Sequence, residues 1–340
     1  MRIQKDVSLA KLNTFGVDVN ATSVLTFENG DDFSNTNIGG YLKAKSFLIL
    51  GRGSNILFTK DYPGNIILMK NSGKEILHED QDSVTVKVNA GHNWDKFVKW
   101  SIDNNLVGLH NLALIPGTCG ATPIQNVGAY GVEVKEYITE VEIFNTESFG
   151  KEIVTNSKCK FGYRDSIFKN ELKEKAIVTS VTFKLKKFKG DIDEKYLKYS
   201  GIKEALDGKD LTPRTLYECI VNIRNEKLPK VEEYGSCGST FKNPEISISE
   251  YERLLLKFPQ LPKFDTDREG IVKIPAAHIL EKLGWKNKRS GDVGTWIYHP
   301  LIVTNYGHAS GEEILSFIKD LQSDFKSETN LDLECEINII

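Results

Sequence analysis

The feature that most constrains the fold is a short polar turn between two apolar runs near residue 50. The run Phe47–Leu50 stops at Gly51-Arg52-Gly53-Ser54-Asn55, and a second apolar run over residues 56–58 begins at once. Glycines permit positive φ and a close approach of the backbone, and successive N–H groups in such a turn form a concave anion site. The turn is therefore either a phosphate-binding loop between strands or a plain β-turn, and these residues alone leave both open.

The familiar nucleotide-binding motifs do not describe this turn. A dinucleotide-binding G-x-G-x-x-G needs a third glycine where Ile56 stands, and it should open a helix. The sequence instead predicts a strand, a turn over residues 61–64 and another strand over residues 66–68. The P-loop pattern G-x-x-x-x-G-K-[ST] is also absent. A phosphate at this turn would thus bind between strands rather than at a Rossmann helix N-terminus.

Charge and composition narrow the class of protein. The 340 residues are enough for two or three domains, and 44 Lys+Arg against 47 Asp+Glu give a net charge of −3. This balance does not indicate binding to nucleic acid or to an anionic membrane surface. The first residues lack the apolar core of a signal peptide, and no apolar run reaches the ~20 residues of a membrane helix. We expect a cytoplasmic monomer.

Cysteine and histidine usage points the same way. The five cysteines are scattered and show no C-x-x-C spacing, which is typical of reduced thiols in a cytosolic protein. The six histidines are also scattered, without an H-E-x-x-H motif. The sequence therefore predicts no metal site.

Periodicity and end signals place several elements. Alternating valines predict a half-buried strand over Ser83–Asn89, and Asn93 is the expected N-cap of a helix that ends at residues 104–105. Further strands are expected at residues 140–144 and 177–185, with a turn at Gly39-Gly40. Three more helices are predicted from Thr212-Pro213 to about residue 225, over residues 276–283 before Gly284, and after the capping box at residues 310–313.

The C-terminal stretch alternates strictly. Residues 331, 333, 335, 337 and 339 are apolar or cysteine, whereas Asp332, Glu334, Glu336 and Asn338 share the other face. This pattern predicts a strand that is tied into a sheet. The carboxylates of Glu334 and Glu336 would form either a solvated edge or one wall of a site, and the strand alone favours the solvated edge.

Six motifs taken together resemble one family. Each is weak alone, but they occur in order from about residue 10 to the end: Leu12-Asn13-Thr14-Phe15-Gly16, Gly51-Arg52-Gly53-Ser54-Asn55, Ile115-Pro116-Gly117-Thr118 with Gln125-Asn126-Val127-Gly128-Ala129-Tyr130-Gly131, Tyr163-Arg164-Asp165-Ser166, Gly238-Ser239-Thr240-Phe241-Lys242-Asn243-Pro244 and Leu333-Glu334-Cys335-Glu336. The chain resembles the UDP-N-acetylenolpyruvoylglucosamine reductase (MurB) family of bacterial peptidoglycan synthesis. Tyr199-Ser200-Gly201 is similar to the branch with an inserted tyrosine-bearing loop that closes over substrate.

The resemblance implies an α+β fold. A flavin-binding module of two subdomains, of the vanillyl-alcohol-oxidase (PCMH) type, would precede a C-terminal α+β substrate domain. We expect subdomain 1 at residues 1–70, joined by a C-terminal strand at 328–340, subdomain 2 at 71–208 and the substrate domain at 209–327. Composition shifts near residues 205–210, which supports that boundary.

The implied activity is the NADPH-dependent reduction of UDP-N-acetylglucosamine enolpyruvate to UDP-N-acetylmuramate. One non-covalent FAD would be reduced by NADPH and would pass hydride to the enolpyruvyl group, in a pathway that serves cell wall biogenesis, cell shape and cell division. Such a reduction leaves negative charge on the substrate carboxylate, which needs fixed positive charge or an acid. It also needs a proton for the α-carbon.

The resemblance assigns the residues. Arg164 would bind the carboxylate with its fork, Glu336 would help to stabilise the enolate-like species, and Ser239 would donate the proton, which a hydroxyl can give only to a strongly basic carbon. Lys242 or a nearby water would assist, and Lys227 would suit a diphosphate. The implied substrate-binding residues are Tyr163, Tyr199, Lys227, Lys242 and Asn243. The implied FAD-binding residues are Gly51, Arg52, Gly53, Ser54, Asn55, Pro116, Gly117, Thr118, Gln125, Asn126, Gly128, Ala129 and Tyr130.

Three positions depart from the family pattern. Tyr298-His299-Pro300 stands where a polar, often glutamine-bearing stretch is usual, which puts that diphosphate contact in doubt. Ile337-Asn338 replaces the basic residue after the glutamate, so the electrostatics around Glu336 differ. Arg52 stands where an acidic or small residue is common, and it could add binding beside a pyrophosphate.

Two other classes of function remain. A related flavin oxidase of a small alcohol or sugar would often attach its flavin through a histidine or cysteine, and His92, His110 and Cys119 lie in the flavin region without a motif. A catalytically idle nucleotide-binding protein is the other class, but the joint presence of Arg164, Ser239 and Glu336 argues against it.

Overall fold

Two compact units make up the chain. The computed structural model describes residues 1–29, 38–44, 46–199, 201–206, 208–231 and 233–340, so that Ser200 of the Tyr199-Ser200-Gly201 motif lies outside the described residues. Unit 1 comprises residues 1–7, 21–52 and 63–226, and unit 2 comprises residues 8–20, 53–62 and 227–340. The functional boundaries proposed from the sequence stay a prediction.

Short strands and a few helices supply the regular structure. The strands are β1 (Arg2–Ser8), β2 (Asn20–Phe27), β3 (Phe47–Leu50), β4 (Ile56–Leu57), β5 (Tyr62–Met69), β6 (Lys74–Glu79), β7 (Ser83–Asn89), β8 (Leu106–Val107), β9 (Gly128–Ala129), β10 (Val132–Glu133), β11 (Ile138–Asn145), β12 (Lys151–Thr155), β13 (Ala176–Lys187), β14 (Gly235–Ser236), β15 (Glu245–Ser247), β16 (Phe264–Asp265), β17 (Ile271–Lys273), β18 (Arg289–Ser290), β19 (Val293–Trp296), β20 (His299–Asn305) and β21 (Asn338–Ile339). The helices are α1 (Ile38–Ala44), α2 (Trp94–Asp103), α3 (Ile202–Leu206), α4 (Pro213–Lys227), α5 (Ile248–Leu255), α6 (Ala276–Lys282) and α7 (Gly311–Thr329).

Unit 1 is built on a six-stranded sheet with the order β12-β11-β13-β7-β6, in which β8 also pairs with β13. The predicted strand β7 is confirmed, and its alternating Val84, Val86 and Val88 are buried. Helix α2 packs on this sheet through Phe97, whose ring lies 4.9 Å from that of Phe183 on β13. A second sheet, β1-β2-β5-β3, carries β3 parallel to β5, and β3 delivers the chain into the turn at residues 51–55.

Unit 2 contains smaller sheets. Strands β14-β20-β19-β18 form one, β15-β17-β16 another, and β21 pairs in parallel with β4. The predicted helix ends are confirmed here: Ser310 and Glu313 form the capping box of α7, and Gly284, at φ +76°, follows the end of α6. In unit 1 the predicted helix caps at Asn93 and Thr212 are also confirmed. The Lys96 N–H donates to Asn93 Oδ1, and the Thr215 N–H donates to Thr212 Oγ1.

Three sequence expectations are wrong in detail. Gly39-Gly40 is not a turn but part of α1, where a Cβ on Gly39 would lie 3.1 Å from the Phe149 ring, a close contact to which that ring would have to adjust. The turn predicted at residues 61–64 is not formed, because residues 62–64 belong to β5. The predicted C-terminal strand is reduced to a bridge at Cys335 and the short β21, because the chain bends at residues 336–337.

Candidate active site

The opening turn needs both of its glycines. A Cβ on Gly51 would lie 2.8 Å from the Thr118 hydroxyl, so unit 1 packs a predicted cofactor residue directly against the turn. Gly53, in unit 2, has φ +65°, and a Cβ there would lie 2.0 Å from the Leu12 carbonyl oxygen. The Thr14 N–H donates to the Gly53 carbonyl at 3.0 Å. A left-handed residue pressed between backbones is the geometry that excludes every side chain.

The second glycine-rich segment, residues 115–131, is held in unusual backbone conformations. Asn126 and Tyr130 have left-handed φ values of 47° and 51°, and Leu114 just before the segment has 54°. Such values are uncommon for residues with side chains and cluster at functional sites. Asn126 is fully buried, and its amide donates to Gly162 O and Glu133 Oε2, both at 2.9 Å. Any cofactor contact of Asn126 therefore falls to its main chain.

Arg164 lies in a turn that is fastened to this segment. Its Nη2 donates to the Gly128 carbonyl at 2.7 Å, while Ser166 Oγ donates to the Ile124 carbonyl at 2.6 Å. Arg164 itself has φ 53°, and its guanidinium lies 5.3 Å from the Tyr163 ring centre. The structure thus brings the predicted catalytic arginine together with the predicted flavin segment.

The acids next to Arg164 in sequence have other partners. Asp165 accepts hydrogen bonds from the Ser166 N–H at 2.9 Å and the Asn170 amide at 3.0 Å. Glu171 pairs with Lys160 at 2.7 Å. Each of these two acids thus has a described partner of its own.

Sequence reasoning missed one residue of unit 1, Arg224 on α4. Its guanidinium lies 6.0 Å from the Tyr130 ring centre, and Tyr130 packs edge-on against Tyr199 at 4.8 Å. Arg224 Nη2 is 3.4 Å from the Leu114 carbonyl, but its buried Nε has no partner among the described residues. The available signal was its spacing, since Arg224 stands four residues after the buried Ile220 on the apolar stripe of the helix.

These unit 1 features fit a large bound group such as FAD. Buried polar atoms are normally paired, and an orphaned Nε beside the 115–131 segment suits a ligand acceptor. Glycine and left-handed positions supply backbone that a ligand can approach closely. Two of the three side chains considered for covalent attachment, His110 and Cys119, are fully buried, whereas His92 is partly exposed beside Ser72.

In unit 2 the predicted catalytic residues Ser239 and Glu336 are brought together by a bridge. Phe241 pairs antiparallel with Cys335, the Glu336 N–H donates to the Thr240 carbonyl at 2.7 Å, and the Lys242 N–H donates to Glu334 O at 2.9 Å. Ser239 follows left-handed Gly238 and is exposed. Within the described part of the chain its hydroxyl makes no hydrogen bond, so it can turn toward a ligand.

The remaining unit 2 residues have defined contacts. Lys242 Nζ lies 2.5 Å from Glu334 Oε1, and Asn243 Oδ1 accepts the Ala276 N–H at 3.0 Å, at the start of α6. Asn55 ties the opening turn to the C-terminal segment, because its carbonyl accepts the N–H of Asn338 at 3.0 Å. The amide of Asn338 donates to the same carbonyl at 3.1 Å. Asn338, which differs from the family pattern, thus stabilises the turn at residues 51–55.

The described part of the chain contains neither a membrane-spanning helix nor a cluster of metal-binding side chains. No helix there has both the length and the apolar character that crossing a bilayer requires. The described residues also hold no group of three or more His, Cys, Asp or Glu side chains placed to bind a metal ion.

Comparisons with known proteins find relatives along the full length of the chain. A family profile described as "UDP-N-acetylenolpyruvoylglucosamine reductase, C-terminal domain" matches residues 230–340, and one described as "FAD binding domain" matches residues 41–149. The UDP-N-acetylenolpyruvoylglucosamine reductase of Flavobacterium johnsoniae is 40% identical over 343 positions, which cover 100% of both chains. That of Chromobacterium violaceum is 36% identical, covering 99% of this chain and 98% of the relative.

A solved structure shows the same fold. The crystal structure of UDP-N-acetylenolpyruvylglucosamine reductase (MurB) from Thermus caldophilus matches with a TM-score of 0.68 at 23% identity, covering 100% of this chain and 99% of that one. The predicted fold class, a two-subdomain FAD-binding module followed by a C-terminal domain, is confirmed by this likeness together with the two family profiles.

Proposed function

Because the chain belongs to the UDP-N-acetylenolpyruvoylglucosamine reductase family, we infer that it reduces UDP-N-acetylglucosamine enolpyruvate to UDP-N-acetylmuramate. The observation that carries this conclusion is the 40% identity over the full length of a relative with that name. The chain is thus an FAD-dependent oxidoreductase, a UDP-N-acetylmuramate dehydrogenase with NADPH as donor, acting in peptidoglycan precursor synthesis. A cytoplasmic location and a monomeric state remain part of this proposal.

The protein supplies position and charge. When bound, FAD supplies the hydride chemistry, and the reduction then leaves an enolate-like species on the substrate, whose carboxylate carries the growing negative charge. We propose that Arg164 binds this carboxylate. Its hydrogen bond to the Gly128 carbonyl fixes the guanidinium plane at the flavin segment, which suits a preorganised electrostatic contact that costs no rearrangement during reaction.

Ser239 and Glu336 complete the proposed catalytic set. Ser239 would give its proton to the substrate α-carbon, and its exposed hydroxyl on a loop led by Gly238 supports that role. Glu336, whose backbone is fixed to Thr240, would stabilise the same species by hydrogen bonding. Lys242 is paired with Glu334 and would act on the substrate through charge rather than as an acid.

The binding residues stay proposals on the same footing. Backbone of the two glycine-rich segments would hold FAD, with the pyrophosphate at residues 51–55 and the flavin along residues 115–131. Arg224 joins this set through its buried Nε, which has no hydrogen-bond partner among the described residues. Tyr163, Tyr199, Lys227 and Asn243 are the proposed substrate contacts, and Tyr199 already lies beside Tyr130 of the flavin segment.

Two measurements test the function. Purified protein should be yellow and should oxidise NADPH only when UDP-N-acetylglucosamine enolpyruvate is present; protein that cannot take up FAD would refute the proposal. Stopped-flow absorbance should show that Ser239→Ala keeps flavin reduction by NADPH but slows reoxidation by substrate about 10²–10⁴-fold, the usual worth of a general acid. Ser290→Ala, an exposed serine on β18, is the control. Equal loss of both half-reactions would mean that Ser239 acts in binding or folding instead.

A further inference from the structure

The segment Leu12-Asn13-Thr14-Phe15-Gly16 is the first of the six motifs, and the proposed function has given it no role. Asn13 is buried and ties the segment to itself. Its amide donates to the carbonyls of Leu9 and Val17 at 2.8 and 2.9 Å, and its Oδ1 accepts the Val17 N–H at 3.1 Å. Hydrogen bonds of this kind between an asparagine and nearby backbone fix the path of a loop. Residues 9–17 are therefore a defined part of unit 2, with Thr14 near their middle.

Thr14 holds the opening turn at Gly53. The N–H and the hydroxyl of Thr14 both donate to the Gly53 carbonyl, at 3.0 and 3.3 Å. In a trans peptide the C=O and the N–H that follows it point in opposite directions, so these two hydrogen bonds direct the Ser54 N–H away from Thr14. A turn forms a concave anion site only when successive N–H groups converge. Thr14 therefore sets the orientation of one peptide plane in the proposed pyrophosphate loop.

The same threonine is joined to the loop that carries Ser239. The Thr14 carbonyl accepts the Ser236 N–H at 2.9 Å, and the Thr14 hydroxyl lies 3.4 Å from Cys237 Sγ. The Cys237 thiol donates to the Ile56 carbonyl at 3.3 Å. Burial raises the pKa of this thiol to about 12, so the sulfur keeps its proton near pH 7 and remains a donor. The exposed Ser239 follows only two residues later.

The backbone around Thr14 is packed closely against both loops. A Cβ on Gly53 would overlap the Leu12 carbonyl, and a Cβ on Gly235, in β14, would overlap the Phe15 carbonyl. The Phe15 carbonyl also accepts the Asn305 amide at 3.0 Å, which fixes it to β20. Groups packed to this density transmit a displacement to their neighbours instead of absorbing it. A shift of the pyrophosphate turn should therefore be passed through residues 12–15 to the serine loop.

We propose that Thr14 is a positioning residue for the proton-transfer step, whose hydroxyl, placed between the Gly53 carbonyl and Cys237 Sγ, sets the position of Ser239 relative to the pyrophosphate turn. The inference rests on the proposed function and deepens it, because it connects the cofactor loop with the proton donor. Thr14 acts through Ser239 and needs no contact of its own with flavin or substrate. A misplacement of about 1 Å can slow a reaction by as much as 10²-fold, so the effect should appear in the step that uses Ser239.

Two substitutions separate the hydroxyl from the shape of the side chain. Thr14→Val keeps the shape and removes the hydroxyl, whereas Thr14→Ser keeps the hydroxyl. In stopped-flow absorbance of the flavin-loaded protein, Thr14→Val should keep flavin reduction by NADPH and slow reoxidation by UDP-N-acetylglucosamine enolpyruvate about three- to tenfold, the scale of one hydrogen bond. Thr14→Ser should restore the wild-type rate. Thr329→Val is the control, because it removes a buried hydroxyl of unit 2 that donates to the Phe325 carbonyl at the end of α7.

Binding of FAD to the apoprotein, followed by flavin fluorescence, gives a readout that does not depend on turnover. Thr14→Val and Cys237→Ala should each raise the dissociation constant of FAD. The double variant should raise it by less than the product of the two single effects, because residues that share a contact are not additive. Effects that multiply would mean that Thr14 and Cys237 act independently, which would overturn the link between turn and serine loop.

The outcomes also separate this inference from the proposed function. Thr14→Val with both half-reactions slowed equally, or with neither slowed, would overturn the positioning role, and so would Thr14→Ser that behaves as Thr14→Val does. Because the wild type is measured on the same day and turns over in these cases, they refute only this inference. A wild type that takes up no FAD, or that does not oxidise NADPH with UDP-N-acetylglucosamine enolpyruvate, refutes the proposed function. An unchanged flavin absorbance spectrum shows that each loaded variant is folded.

Discussion

His110 should make the stability of this protein depend on pH between about 6.5 and 4. The residue is fully buried, its ring lies edge-on to Tyr196 at 4.5 Å, and its Nδ1 is 2.8 Å from Asn111 Oδ1. Burial lowers the pKa of His110 from 6.5 to about 4, against the opposing hydrogen bond to Asn111. Each pKa unit corresponds to about 1.4 kcal/mol, so the linked effect is about 3 kcal/mol.

The sign follows from which state binds the proton. The unfolded chain protonates His110 near its ordinary pKa, whereas the folded chain does so only near pH 4. Above pH 6.5 both states are neutral and stability is complete. As pH falls below 6.5 the unfolded state binds more protons, and stability decreases until the folded pKa is reached.

Urea denaturation followed by circular dichroism between pH 7.5 and 4.5 measures this loss. His110→Gln should be less stable than the wild type at pH 7.5, because packing is lost, but its free energy of unfolding should fall less with decreasing pH, by up to about 3 kcal/mol. His78→Gln is the control, since the His78 side chain is 67% exposed. Equal slopes for the wild type and His110→Gln would refute the reasoning.

Two further predictions concern the opening turn and the thiols. Gly53→Ala should lower the free energy of unfolding by more than the ~1–2 kcal/mol that a left-handed alanine costs, because its Cβ would overlap the Leu12 carbonyl. The control is Gly16→Ala, at φ +70° with no atom within 4 Å of the added Cβ, which should show the backbone cost alone. Equal losses of stability for the two variants in urea denaturation would argue against the overlap. Of the five cysteines, four are buried, and burial raises the pKa of the partly exposed Cys335 thiol to about 11. At pH 8, dithionitrobenzoate should therefore react slowly with the thiols of the native protein, and Cys335 should react first. In guanidinium all five thiols should react, and rapid reaction of all five in the native protein would contradict this prediction.

Local signals in the sequence were sufficient for elements whose cause is local. The alternating valines of β7 and the caps at Asn93, Thr212 and Ser310 act within a few residues, and each is confirmed. Gly39-Gly40 failed as a turn signal because the pair lies inside α1, where Gly39 is close to a ring from a distant part of the sequence, that of Phe149. A pair of glycines permits a turn but does not require one.

In the candidate site, too, the sequence indicated some residues and not the contacts they make. Arg164, Ser239 and Glu336 could be named because a family resemblance ties them to motifs. Their neighbours could not, since the bond from Arg164 to Gly128 and the bridge between Phe241 and Cys335 join residues far apart in sequence. Arg224 was missed for a related reason. An arginine on the apolar face of a helix is expected to reach solvent with its charged end, and only the folded structure shows that its Nε is buried.

The pairing of β21 with β4 has a consequence for how the protein is made. The carbonyl of Ile340 accepts hydrogen bonds from Thr59, a residue 281 positions earlier, and β21 lies in register with β4. During synthesis, residues 63–226 of unit 1 are available together as one continuous stretch, whereas β4 must wait for residues 338–339 to be added. Unit 1 can therefore begin to fold on the ribosome while unit 2 matures late. The turn at residues 51–55 acquires its hydrogen bonds from Asn338 only then, so the proposed pyrophosphate-binding loop is completed late in synthesis.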